Sequence, residues 1–127
     1  MNRSPESVGT QVDAAKKMKD RLRADLQIAM LLRRALEAKV IRTLIAAIDN
    51  AEAPPVQTEH AATIQHLFHD GSAEVERLLL SEADVRRVLM MDIAERERAA
   101  EELGRLGITK RAQGLRKEIL LAKRYLA

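Results

Sequence analysis

The last twenty residues carry the pattern that most limits what this chain can become. Ala112, Leu115, Ile119, Ala122 and Leu126 repeat at alternating spacings of three and four, with Ile108 leading in. A helix of 3.6 residues per turn gathers all of them on one face, whereas a strand would scatter them. A helix with one apolar stripe needs another element to cover it. The spacing therefore predicts a helix over about 110–126 and at least one partner helix.

Three further stripes are present. Ala15, Met18, Leu22, Leu26, Ala29 and Met30 predict a helix over about 12–32. Leu36, Val40, Ile41, Leu44, Ile45 and Ile48 predict another over about 35–50, ended by Pro54-Pro55, since proline lacks the donor and restricts the residue before it. Between these two, "LLRRALEAK" is helix-forming throughout. Periodicity alone does not separate one long helix from a hairpin. A helix of nearly forty residues is unusual in so small a domain, which favours a break near Arg33–Arg34.

The third helix has the clearest start. Ser81 is placed to cap it, with Asp84 in the acidic position of a capping box and Leu80 and Val85 at staple positions. It runs to about Leu106, and Gly107 suits a left-handed stop. So short a turn makes the third and fourth helices antiparallel neighbours. Between Pro55 and Leu80 lies a long connection, with a short helical piece in "TEHAATIQHLFHD" closed by Gly71.

Composition agrees with a helical domain. Apolar residues are 46% and charged residues 32%, with one Phe, one Tyr and no Trp. At 127 residues the chain fits one domain that removes roughly two-thirds of its unfolded surface from water. The sequence contains no cysteine, which excludes disulfides, cysteine-zinc sites and thiol catalysis and makes a cytoplasmic setting the expectation. No apolar run approaches the roughly 20 residues of a membrane span. "MNRSPESVGTQ" lacks the apolar core of a signal peptide and reads as a disordered lead-in.

Net charge is only +3, but the basic surplus sits at the two ends. Lys16, Lys17, Lys19 and Arg23 belong to the first helix. Lys110, Arg111, Arg116, Lys117, Lys123 and Arg124 surround the stripe of the last. Such a cationic cylinder suits phosphate, in a strongly salt-dependent way. With only Phe68 and Tyr125 for stacking, a folded RNA read by shape fits better than a single strand.

Three other features compete for a role. On the second helix, Arg42, Ala46 and Asn50 form a line opposite the stripe; a close approach by phosphate or backbone and an idle solvent face are both open. On the third, Val85, Leu89, Ala99, Ala100 and Leu103 share a face with Asp92 and Arg96 in its middle. The spacing of four allows an ion pair, either structural or an anchor for a ligand. In the connection, His66 and Asp70 are also four apart, and on a helix two such ligands can hold zinc; ordinary surface residues are the simpler expectation. No glycine-rich phosphate loop or nucleophile-type serine is present, so neither cofactor nor catalytic group is expected.

The segments "MKDRLRADLQIAM", "VIRTLIAAIDNAEA", "LSEADVRRVLMMDIAERERAAEELGRLG" and "LRKEILLAKRYL" resemble, in that order, the N-terminal helical half of YqeY-like proteins. These share the GatB/YqeY motif with the tail of the glutamyl-tRNA amidotransferase B subunit. The family's run "R-x-L-x-x-A-I-x-N-x-E" falls on Arg42, Leu44, Ala47, Ile48, Asn50 and Glu52, its acid and arginine on Asp92 and Arg96, and its closing "Y-L" on Tyr125 and Leu126. The turn "LLRRALE" is more apolar than the family's. Past "Y-L" the family continues into a second small helical domain, whereas the sequence here runs to Ala127.

The resemblance implies that the first two helices form a hairpin. The expected fold is all-α: a small bundle of two helical hairpins, about four main helices, with a long connection between the second and third. Residues 1–11 are the lead-in and 12–127 one domain, with 54–80 a loosely ordered connection. The resemblance also implies tRNA or a tRNA-modifying enzyme as partner, and it carries the label of glutamine-dependent carbon–nitrogen ligase activity. The alternative is a protein-interaction or homo-oligomerisation module, using apolar residues such as Leu31, Leu32, Leu120 and Leu121.

Overall fold

The computed structural model describes residues 14–54 and 76–127. Among them are four α-helices and no strand: α1 Ala14–Leu31, α2 Ala35–Glu52, α3 Glu82–Arg105 and α4 Thr109–Lys123, the last running into a 3-10 turn, Arg124–Leu126. α1 pairs with α2, α3 pairs with α4, and α2 lies against both helices of the second hairpin. This is the expected small all-α bundle. The lead-in, the short helical piece at 58–70 and the pair His66 and Asp70 fall outside the described residues.

Both hairpins turn by the same device. After α3, Gly107 takes φ 78°, its N–H bonds the Gly104 carbonyl at 3.1 Å, and the Ile108 N–H bonds the Leu103 carbonyl at 2.9 Å. After α1, Arg33 takes φ 59°, its N–H bonds the Met30 carbonyl at 3.2 Å, and the Arg34 N–H bonds the Ala29 carbonyl at 2.8 Å. This paired pattern satisfies carbonyls that the helix end leaves open. Glycine adopts the left-handed conformation without strain. Arginine does so at a cost of about 1–2 kcal/mol. The break expected near Arg33–Arg34 is therefore a true turn, made with the wrong residue for ease.

The start of α3 is as the sequence predicts. The Asp84 N–H donates to Ser81 Oγ and the Ser81 N–H donates to Asp84 Oδ2, both at 3.0 Å. Leu80 and Val85 are both buried, which completes the staple. At the other break, Ala53 is extended, as a residue before proline should be, and caps α2 through the Asn50 carbonyl.

The four stripes meet in one core. Leu22, Val40, Leu44, Ile48, Ala112 and Ala122 are completely buried, and Ile41 and Leu89 nearly so. Each large side chain removed from water contributes about 1.5–3 kcal/mol. Two stripe assignments are corrected. Met30 is exposed at the end of α1. On α3 the buried face is rotated toward Ile93, which is in the core, leaving Ala99 exposed. Of the apolar residues weighed for an interface, Leu31, Leu32 and Leu120 are exposed, whereas Leu121 packs against the core.

Candidate functional site

Because the stripe of α4 faces inward, its remaining surface faces out with the basic side chains on it. Lys110, Arg111, Arg116 and Lys117 are all exposed. None of them has an ion-pair or hydrogen-bond partner among the described residues. Leu120 lies exposed beside them. The one acidic residue of this helix, Glu118, is 5% exposed and points inward. The outer face of α4 is thus cationic with no carboxylate of its own to neutralise it.

The other basic residues singled out by sequence are mostly occupied. Lys123 lies 3.8 Å from Glu97. Arg124 holds Glu37 at 2.6 Å, a bond that raises its pKa further. Lys16 bonds Asp20 at 2.9 Å, holding that carboxyl below its ordinary range, and Arg23 stands 3.7 Å from the same group. Lys17 is exposed and lines a separate groove.

Lys19 requires a correction. It is 4% exposed, and its ammonium bonds Asp49 at 2.8 Å and Glu52 at 2.5 Å. Arg77 reaches the same Glu52 at 3.1 Å from outside. Lys19 therefore joins α1 to the end of α2, and no phosphate can reach it without breaking that link. A buried ammonium is tolerable only with such pairing.

Asp92 and Arg96 do pair, through Arg96 Nε to Asp92 Oδ1 at 2.7 Å. The same guanidinium also donates to Glu118 and to the Thr43 hydroxyl. Glu118 in turn accepts from Lys39 at 3.2 Å. One arginine therefore ties α2, α3 and α4 together. Its hydrogen bonds, from all three nitrogens, end on protein.

Arg42, Ala46 and Asn50 are all exposed, on the side of α2 away from the core. The side chains of Arg42 and Asn50 have no partner among the described residues. Closure of the helix before Pro54 uses the Asn50 carbonyl, not its amide side chain. Among the described residues, no hydrogen bond or ion pair joins this line to the α4 cations.

A third polar link was not legible in the sequence. The Tyr125 hydroxyl donates to Asp25 at 2.7 Å, and the Arg21 guanidinium lies 4.7 Å from the ring centroid. Burial, and then the Asp25 carboxylate, push the phenol up to about 12. Among the described residues, no group of three or more His, Cys, Asp or Glu is arranged to hold a metal ion. No helix of the described residues is long and apolar enough to cross a membrane.

Comparison with protein-family models, with curated proteins and with solved structures finds no match for this chain.

Proposed function

We propose that this chain is a non-catalytic helical module that binds folded RNA through the outer face of α4, with tRNA as the RNA class. The observation that carries the reading is the set Lys110, Arg111, Arg116 and Lys117, exposed on one short helix and without an ion-pair partner among the described residues. Elsewhere many cations are neutralised by neighbouring carboxylates, as Lys19, Arg77, Arg96 and Arg124 are. Unpaired cations at a helix surface release counterions from a phosphate backbone, the main source of affinity for nucleic acid. The choice of tRNA rests on the order of segments resembling YqeY-like proteins. A tRNA-handling enzyme as the direct partner is the neighbouring reading. Against catalysis stands the placement of Asp92 and Arg96, which line none of the described grooves and are spent on packing.

The test is a titration of folded tRNA at low salt, with heparin as a polyanion without RNA shape. Binding that survives heparin at equal charge supports the proposal. No binding, or binding no better than to heparin, removes it.

One observation favours a second reading. Ile28, Met30, Leu31 and Leu32 are all more than half exposed at the end of α1, more apolar surface in one place than a free helix end requires. A protein-interaction or homo-oligomerisation module would cover it. A concentration-dependent dimer in sedimentation, together with indifference to tRNA, would favour that reading.

A further inference from the structure

A second feature lies away from α4's outer face. Between the first turns of α1, the start of α3 and the C-terminal turn runs a groove of about 470 Å³. Its floor includes Met18, Val85 and Leu89, and its lips carry Lys17 and Arg21 from α1 and Arg86 from α3. Arg86 Nη1 donates to the Leu126 carbonyl at 2.6 Å, and Arg21 Nη2 to the Arg124 carbonyl at 3.4 Å. Two guanidiniums are thus held on one turn, one from each wall. Each has five N–H donors, so most remain for a ligand. Among the described residues, Glu82 is the only carboxylate side chain lining the groove, against the three cations Lys17, Arg21 and Arg86.

The shape selects among ligands. Small-molecule sites enclose 70–90% of what they bind, and this trough is open along one side. An amphipathic helix laid into an apolar trough needs only its stripe covered, with charges at the edges setting specificity. We propose that the groove docks an amphipathic helix of a partner protein whose apolar stripe is flanked by Asp and Glu. Charge complementarity argues for the acidic flanks: basic flanks would meet Lys17, Arg21 and Arg86 head on.

The probe is a synthetic helix of about five turns with a leucine stripe and glutamate flanks. Its controls carry lysine flanks or a serine stripe. Tyr125, the only tyrosine of the chain, reports from the groove through its ring resonances. The glutamate-flanked helix should shift Tyr125 and the amides of α1 and α3. Lys17→Glu with Arg86→Glu should weaken it about tenfold, and Lys17→Glu alone, at an exposed position, should weaken it by a smaller factor. A variant lacking the four α4 cations should still bind. The proposal is overturned by an absence of shifts, by equal binding of the lysine-flanked helix, or by unchanged affinity in folded reversal variants. Displacement of the peptide by tRNA through these same residues also overturns it, since the groove would then belong to the RNA surface.

Discussion

Replacing Arg96 by methionine tests whether the junction of α2, α3 and α4 is held by charge. The Arg96 side chain is 11% exposed, and its partners Asp92 and Glu118 are 17% and 6% exposed. Removing the cation takes their shared partner from both carboxylates; among the described residues Lys39, itself 63% exposed, is the other cation paired with Glu118. Breaking a buried pair by deleting one partner costs about 3–5 kcal/mol. With the partial exposure seen here, about 2–4 kcal/mol is expected. Domains of this kind have only about 5–15 kcal/mol in hand, so the loss should be obvious. Urea unfolding followed by far-ultraviolet circular dichroism reads it. At a slope of about 1.5 kcal/mol per molar, the midpoint should fall by roughly 1.3–2.7 M with the slope unchanged. The double variant Arg96→Met with Glu118→Gln is the sharper measurement. It removes the orphaned carboxylate and should be more stable than Arg96→Met alone. A loss below about 1 kcal/mol for Arg96→Met, or a double variant less stable than the single, would refute the reasoning.

Two further outcomes are expected. Arg33→Gly should stabilise the chain by about 1 kcal/mol, because φ 59° is free for glycine and strained for arginine; a fall in melting temperature would count against the turn. Tyr125 has a folded pKa near 12 against an ordinary 10.0. Its contribution is therefore fully present below pH 10 and lost as pH rises through about 12. The shift corresponds to about 2–3 kcal/mol. Phenolate absorbance should titrate late in the folded chain, and Tyr125→Phe should flatten that limb of the stability profile; ordinary titration near 10.0 would contradict it.

What the sequence made legible was local. The Ser81 cap, the Leu80 and Val85 staple and the Gly107 stop involve residues at most a few positions apart, and all of them form. The α1–α2 turn was only half legible. Its left-handed residue is Arg33, and nothing about an arginine marks that conformation. The polar links were the least legible, because their partners are distant. Lys19 meets residues 30 and 33 positions away, Arg96 meets Glu118 across 22, and Tyr125 meets Asp25 across 100. Glu118 did carry a signal: it is the only acid in a basic helix and stands beside Ile119 on the edge of the stripe. An acid in that position is expected to have a buried cation as partner. Lys19 carried no such mark among the other lysines of α1, so its burial appeared only once α2 was packed against it.

The most direct measurement concerns α4. Lys110, Arg111, Arg116 and Lys117 are replaced together by glutamine, and the affinity for folded tRNA is followed as salt is raised. If these four side chains meet phosphates, the logarithmic salt dependence should weaken by about 3 to 4, while circular dichroism and the urea midpoint stay where they were. An unchanged slope in a folded variant, or a wild-type chain that ignores tRNA even at low salt, would contradict the RNA-binding role.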